Sequence, residues 1–167
     1  SMLTNINPAE EGSVSTQNEL INPQFVDVLF GTTPYVFNVS GSGTLTQIAP
    51  GWSIKTTGSG TVTIAQIASA VTDIPSQPPY VLDITGSAGV TSLDLVQRIE
   101  HSPRLLSGGV VAGYFVAKTQ TGTAAIPLTL SYIPSGGGSS YDIAMGSTSG
   151  TSDYVAIKGN ASIDGVI

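Results

Sequence analysis

Hydrophobic and polar residues alternate with a period of two over much of the chain after residue 19. The segment YVLDI, residues 80–84, places its Tyr, Leu and Ile on one face of an extended strand, and LTLSY, residues 128–132, repeats this pattern. Successive side chains of a strand point to opposite faces, so the pattern indicates strands with one buried face. Gly, Ser and Pro separate the runs and supply the turns between them.

Eleven runs of this kind are predicted strands. They are Phe25–Phe30, Tyr35–Val39, Thr44–Ile48, Trp52–Thr56, Thr61–Ile67, Tyr80–Ile84, Leu93–Ile99, Val110–Ala117, Ile126–Ile133, Tyr141–Met145 and Tyr154–Ile157. Short strands at regular spacing, with helical periodicity scarce, are typical of an all-β antiparallel sandwich or barrel. We expect a single antiparallel β domain, a sandwich or a barrel, over residues 20–167. A flexible N-terminal arm over residues 1–19 precedes it, because that stretch is polar and lacks periodicity.

One sequence element occurs twice. GSGTLTQI, residues 41–48, and GSGTVTIAQI, residues 58–67, share a Gly-Ser-Gly start followed by a strand-like run. Two copies are too few for a repeat architecture, which needs three or more. We therefore interpret the two copies as similar hairpin turns that lead into strands.

Composition favours a folded β protein whose surface is polar without being highly charged. Only 10% of the residues are charged, against about 25% in an average domain, whereas the chain contains 21 Ser, 19 Thr and 20 Gly. Hydroxyl side chains suit strand surfaces, since helix surfaces usually carry Glu, Lys, Gln and Arg. Because 40% of the residues are hydrophobic, the chain does not have the low hydrophobicity that is typical of disordered proteins.

The charge pattern narrows the possible partners. The formal net charge is −6 and the five basic residues form no run, which argues against nucleic acid and anionic membranes. No apolar stretch approaches the ~18 residues of a membrane span, so we expect no membrane insertion. The segment LTNINPAEEGSVSTQ near the start is polar and acidic, so we expect no signal peptide.

Residues that could hold a metal ion are few. The chain has no Cys and one His, His101, which excludes disulfides and thiolate sites and leaves poor zinc chemistry. No Asp-rich loop of the calcium-binding kind is present. We therefore expect no cofactor, although a single structural calcium ion held by separate loops and backbone carbonyls stays open.

No set of residues has the pattern of a hydrolase, and we expect the protein not to be an enzyme. His101 lies in a predicted turn, and no Gly-x-Ser-x-Gly elbow carries a credible nucleophile. Asp83, Asp94 and Glu100 lie on neighbouring predicted strand regions, where two of them could form a glycosidase pair. The stronger alternative is a partly buried ion pair of Glu100 with Arg98 and Arg104 that ties a strand end to its loop.

Two features are candidate ligand sites. Trp52, the only tryptophan, follows the turn APG, where its ring could stack on a sugar or fill the core. The segment LVQRIEHSPRLLSGG, residues 95–109, gathers Arg98, Glu100 and His101. Arg98 and Glu100 share one strand face, and Gln97 lies on the other with the apolar residues. We expect a structural role for this cluster first and a ligand role second.

Three segments, in order, resemble the jelly-roll domain of many bacteriophage tail-fibre and other virion fibre proteins, a domain similar to carbohydrate-binding modules. They are NELINPQF (18–25), PGW (50–52) and the region from YVLDITG to LTLSY (80–132). The family pattern has N-x-L-I-N-x-x-F, a Trp after a turn and a strand ending in QRIE. A Leu-x-Gly turn and a strand ending in aromatic-x-Ala-Lys follow, here LLSGG and YFVAK.

The resemblance implies a jelly-roll β-sandwich and a non-enzymatic virion structural protein. It would be a tail- or head-fibre domain that displays the fibre or contacts a host-surface glycan. The resemblance also implies a homotrimer on the phage particle surface, in contact with other virion proteins and made in the bacterial cytoplasm. The alternative is a carbohydrate-binding module of a secreted bacterial polysaccharide-degrading enzyme.

Overall fold

The structure of the protein, a computed structural model, describes residues 20–69, 78–99, 110–134, 136 and 139–162. Within these residues all regular secondary structure is β-strand and every strand pair is antiparallel. The strands are β1 (Tyr35–Ala49), β2 (Trp52–Ala68), β3 (Tyr80–Gly86), β4 (Val90–Gln97), β5 (Val110–Ala117), β6 (Ala124–Tyr132), β7 (Tyr141–Gly150) and β8 (Val155–Ser162). The prediction of an all-β antiparallel fold is confirmed.

The chain divides into two compact units. Among the described residues, the N-terminal unit holds residues 20–99 with β1 to β4, and the C-terminal unit holds residues 110–162 with β5 to β8. The predicted arm over residues 1–19 lies outside the described residues. The jelly-roll arrangement and the single domain over residues 20–167 stay predictions.

β2 is the central strand of the N-terminal unit. Along one edge it pairs with the whole of β1. Along the other edge, residues 62–68 pair with β3 and residues 52–58 pair with β4, so β3 and β4 follow each other along the same side of β2. Pro50 and Gly51 form the turn between β1 and β2, and Gly51 has φ +80°, the conformation that a type II turn requires at its third residue.

The two Gly-Ser-Gly segments lie inside strands, so the prediction of two hairpin turns there is wrong. Gly41 of β1 is the register partner of Gly58 of β2, and Ser40 is the partner of Ser59. The two copies thus face each other across one strand pair. Glycine tolerates positive φ, +88° at Gly41 and +119° at Gly58, so each strand bends and continues where another residue would favour a break. Four predicted strands therefore merge into two.

The loop between β3 and β4 runs along the edge of β2 at this level in close backbone contact. The Ser59 amide donates to the Gly89 carbonyl at 2.9 Å, and the Ser87 amide donates to the Thr61 carbonyl at 2.9 Å. A Cβ added to Gly58 would overlap the Gly89 carbonyl oxygen, and one added to Gly89 would overlap that of Ser59. The loop can pass this close only because neither glycine has a side chain.

The even-numbered residues of β2 form the buried face of the N-terminal sheet. Trp52, Ile54, Thr56, Val62 and Ile64 are buried, and the odd-numbered residues between them are more exposed. The neighbouring strands add Val39, Ile48, Leu82, Ile84, Leu93 and Leu95 to the same core. The inward faces predicted from the period of two in β3 and β4 are therefore correct. Full burial of each such Ile, Leu or Val stabilises the fold by about 1.5–3 kcal/mol.

Residues 20–30, called the strap below, lie over this core. Leu20, Phe25, Val28 and Phe30 pack against the core residues. The predicted strand Phe25–Phe30 is not formed: residues 25–28 belong to no strand, and residues 29–32 form a turn. Asn22 and Phe25 have positive φ, 49° and 52°, a conformation that costs about 1–2 kcal/mol for a residue such as Phe.

The C-terminal unit consists of two antiparallel strand pairs, β5 with β8 and β6 with β7. The two pairs touch at glycines: a Cβ on Gly113 would lie 3.1 Å from Met145 Cε, and one on Gly159 would overlap the Met145 carbonyl oxygen. Ile157 and Ala161 are buried. The odd-numbered residues of β5 and β8 therefore face inward, and their even-numbered residues form an outer face.

Candidate binding surface

Trp52 lies in the core of the N-terminal unit, beneath the strap. Its side chain is 8% exposed, and its ring centroid is 5.0 Å from that of Phe25. The indole Nε1 donates a hydrogen bond to the Asn22 carbonyl at 2.9 Å, the kind of partner that a buried indole requires. Trp52 thus occupies the first of its two predicted environments, the core. Its ligand role stays a prediction, and it would require the strap to move away from the ring.

Gln97 joins the strap to β4. Its Oε1 accepts a hydrogen bond from the Ile21 amide at 2.7 Å, and its Nε2 donates to the Ile21 carbonyl at 2.8 Å. One side-chain amide therefore reproduces the paired hydrogen bonds that a neighbouring strand would form. Gln66 of β2 holds the strap in a similar way, since its Nε2 donates to the carbonyls of Phe25 at 2.6 Å and Val26 at 2.9 Å.

The segments that carry the fibre resemblance meet at this point. Ile21 and Asn22 belong to NELINPQF, Gly51 and Trp52 to PGW, and Gln97 to QRIE. Gln97 is the register partner of Trp52, and a Cβ on Gly51 would lie 3.1 Å from both Gln97 Nε2 and Ile21 Cβ. We call these five residues the motif cluster. It joins positions as far as 76 residues apart in the sequence.

The other predicted ligand residues do not join the motif cluster within the described residues. Arg98, which directly follows β4, is exposed, as expected for a residue that alternates with Gln97. Glu100 and His101 lie outside the described residues. The structure therefore places Trp52 beside Gln97, in the core, and not beside Arg98.

Two of the carboxylates considered for glycoside hydrolysis are far apart. Asp83 is opposite Ala65, and Asp94 is opposite Lys55, along the same edge of β2. The stretch of β2 between Lys55 and Ala65 separates them by about 30 Å at the rise of a strand, whereas a catalytic pair needs roughly 5–10 Å. The third, Glu100, lies outside the described residues.

The described residues form neither a metal-binding cluster nor a membrane-spanning helix. In the described part of the chain, no three His, Asp or Glu side chains gather where they could hold a metal ion. No helix in that part has the length and apolar character needed to cross a bilayer.

An aromatic and a basic side chain lie next to each other on the outer face of the C-terminal unit. Tyr114 of β5 is the register partner of Lys158 of β8, and Ala112 is the partner of Asn160. Tyr114 is 50% exposed, and Lys158 and Asn160 are exposed. These four residues line one shallow groove, which we call the outer groove.

Sequence reasoning did not identify the outer groove. Tyr114 is one of six tyrosines, and none of them carries a signal of its own. The alternation in VVAGYFVA does place Tyr114 on one face with Ala112. Its proximity to Lys158, however, arises from the pairing of β5 with β8, which are separated by two other strands in the sequence.

No family model, curated protein or solved structure matches this chain. The fold alone therefore defines its class, an all-β protein of antiparallel strands arranged in two compact units. Two features bear on function: the motif cluster, in which the resembling segments meet, and the outer groove, which presents polar and aromatic groups to solvent.

Proposed function

We propose that this chain is a non-enzymatic structural component of a bacteriophage virion, a domain of a tail or head fibre. It displays the fibre or contacts glycans on the host surface. It acts as a homotrimer at the surface of the particle, together with other virion proteins. The proposal extends the sequence resemblance with two properties of the structure, the motif cluster and the exposed apolar side chains of the strap.

The motif cluster is the observation that carries the proposal. A chance similarity of short motifs gives no reason for the motifs to touch one another. In this chain Ile21, Trp52 and Gln97 come from three separate motifs, and each forms contacts with residues of the other two. Their contacts are hydrogen bonds to backbone and packing in the core, which is the role expected of a signature that defines a structural domain.

The outward side of the strap favours self-association. Ile21, Val26 and Leu29 are between 50% and 59% exposed, although the strap is fixed to the sheet by Gln97 and Gln66. Apolar side chains on an ordered segment gain free energy when another surface covers them, by about 25 cal/mol per Å² of apolar area. In a trimeric fibre a neighbouring copy would provide that surface.

Light scattering coupled to size exclusion tests the proposal. We expect a particle of three 17.0 kDa chains, about 51 kDa. Replacing both Val26 and Leu29 by Asp should shift it to monomer, because charge would be buried at the contact. Leu45→Asp is the matched control, since Leu45 is also exposed, at 57%, but lies on β1.

Two results would contradict the proposal. A monomer at micromolar concentration that binds sugars with millimolar affinity would favour the carbohydrate-binding module instead. Turnover of any polysaccharide by the purified chain would remove the non-enzymatic assignment, and reducing-sugar assays on a panel of bacterial surface polysaccharides measure it directly.

A further inference from the structure

We propose that the outer groove binds an acidic saccharide. The ring of Tyr114 is the platform for one sugar ring, the Lys158 ammonium pairs with a carboxylate of the ligand, and the Asn160 amide bonds its hydroxyls. The inference rests on the proposed function, because it names the chemistry through which such a domain would contact a surface glycan. Its test is nevertheless independent of the trimer.

The groove has the composition that saccharide recognition requires. The C–H groups on one face of a sugar ring pack against an aromatic ring, and Tyr114 offers half of its surface to solvent. Opposite residues of antiparallel strands have Cβ atoms about 4.5–5.5 Å apart, so the side chains of Lys158 and Tyr114 project from neighbouring positions on the same face. Asn160 lies two residues further along β8 on the same face and adds one acceptor and two donors. A few polar groups around one apolar platform are typical of ligand sites.

The strands that carry the groove are closely packed from behind. Gly113 and Gly159 alternate with the groove residues and face the opposite way, toward β6 and β7. A Cβ on Gly113 would lie 2.8 Å from Leu128 Cδ2, and one on Gly159 would overlap the Met145 carbonyl oxygen. The strand pair β5–β8 is therefore held against the second pair directly behind Tyr114. A preorganised platform of this kind loses little conformational entropy when it binds.

Lys158 selects for an acidic ligand. The described residues of the C-terminal unit contain two lysines and two aspartates. Lys118 lies 4.8 Å from the ring centroid of Tyr154, and the Asp142 carboxylate accepts a hydrogen bond from Ser131 Oγ. Lys158 is the basic residue that lines the groove. A charge-assisted hydrogen bond from an ammonium to a carboxylate is roughly twice as strong as a neutral one. The preference for a uronic or sialic acid over a neutral sugar is therefore local to Lys158 and concerns one carboxylate, because the whole chain carries a net charge of −6.

Isothermal titration calorimetry on the full chain tests this site. The probes are hexasaccharides of galacturonic acid, of α-2,8-linked sialic acid and of hyaluronan, with maltohexaose as the neutral comparison. We expect binding of at least one acidic probe, with an affinity that falls as NaCl is raised from 20 to 300 mM, in the manner of about one ion pair. Maltohexaose should bind more weakly by about tenfold or more.

Variants assign the binding to the groove. Tyr114→Ala should reduce affinity by at least about tenfold, whereas Tyr114→Phe, which keeps the ring, should retain most of it. Lys158→Gln should remove the preference for acidic over neutral probes. Tyr141→Ala is the matched control, because Tyr141 is 51% exposed but lies on β7, and circular dichroism melting curves verify that each variant is folded.

Three outcomes would overturn the inference. They are the absence of heat with all three acidic probes up to 10 mM, equal affinity of wild type and folded Tyr114→Ala, and loss of binding in Tyr141→Ala alone. A trimer that binds none of the probes would refute this site and leave the fibre proposal standing. A monomer whose binding depends on Tyr114 would do the reverse.

Discussion

The side-chain amide of Gln97 and the backbone of Ile21 form two hydrogen bonds with each other, at 2.7 and 2.8 Å. This pair of hydrogen bonds attaches the strap to β4 in the way that one residue of an additional strand would be attached. The strap contributes Leu20, Phe25, Val28 and Phe30 to the core. These side-chain hydrogen bonds therefore hold the strap, a segment without regular secondary structure, over the core of the N-terminal sheet.

Replacement of Gln97 by Ala should lower the free energy of unfolding by about 1–2 kcal/mol, because two hydrogen bonds to the backbone are lost at a partly exposed site. Urea unfolding followed by far-ultraviolet circular dichroism measures the loss. Gln47→Ala provides the control, since Gln47 is an exposed glutamine of β1, and it should change stability by less than about 0.5 kcal/mol. Equal effects of the two substitutions would show that the strap does not depend on Gln97.

Trp52 should report on the strap by its fluorescence, because it is the only tryptophan and it is shielded from water by Phe25 and Asn22. We expect blue-shifted emission and weak quenching by iodide in the native protein, with a red shift on unfolding. Saccharides that bind the outer groove should leave this emission unchanged. A saccharide-induced change that a groove variant such as Tyr114→Ala preserves would instead support the ligand role predicted for Trp52.

Trp52→Phe should destabilise the fold moderately, by about 1–3 kcal/mol, because the Asn22 carbonyl loses its donor and the core loses volume. Thermal unfolding measured by circular dichroism is suitable, since the variant lacks the fluorophore. Trp52→Ala should cost about 3–5 kcal/mol. If both variants melt like wild type, Trp52 cannot be a core residue.

Alanine substitutions at the facing glycines of β1 and β2 separate two effects of an added methyl group, backbone strain and overpacking. Gly41 and Gly58 both have positive φ, but a Cβ on Gly41 has no atom within 4 Å, whereas one on Gly58 overlaps the Gly89 carbonyl oxygen. Gly41→Ala should cost about 1–2 kcal/mol from backbone strain alone, and Gly58→Ala should cost a further 1–3 kcal/mol or so from overpacking. Chemical denaturation of the two variants side by side gives the difference. A smaller loss for Gly58→Ala than for Gly41→Ala would refute the close approach of the loop.

The hydroxyl of Thr56 is a stabilisation target. Thr56 is 1% exposed, and its Oγ1 finds no hydrogen-bond partner within the described structure. Thr56→Val keeps the shape and removes the unpaired polar group, so it should raise the free energy of unfolding by about 1 kcal/mol. Thr56→Ser keeps the hydroxyl and loses a buried methyl group, so it should lower stability by about 1 kcal/mol. Differential scanning calorimetry of both variants checks that the two shifts have opposite signs.

Local alternation was sufficient to predict the strands' inward faces but not their lengths. Leu82, Ile84, Leu93 and Leu95 face the core as the period of two requires. The glycines at positions 41 and 58 begin Gly-Ser-Gly segments, and such a segment looks the same in the sequence whether it forms a turn or continues a bent strand. The strand that pairs with the segment decides between the turn and the bent strand, and this partner strand cannot be identified from the neighbouring residues in the sequence.

The candidate ligand sites depended even more on long-range pairing. Trp52 could have faced solvent or core, and the strap decided in favour of the core by placing Phe25 and Asn22 against it. Tyr114 acquired its proposed binding role only because β5 pairs with β8 and so places Lys158 opposite it. In both cases the deciding neighbour lies at least 27 residues away in the sequence.

By itself, the sequence determined that this protein is built from antiparallel strands with apolar inner faces and a hydroxyl-rich exterior. Those properties follow from the residue types and from the alternation of side chains along any extended backbone. Only the tertiary structure decided which strands are neighbours, that the strap covers Trp52 through Gln97, and that Tyr114 and Lys158 share a groove. Strand pairing joins residues by hydrogen bonds between backbones, which are the same for every amino acid except proline, so the register is set by the packing of the whole unit.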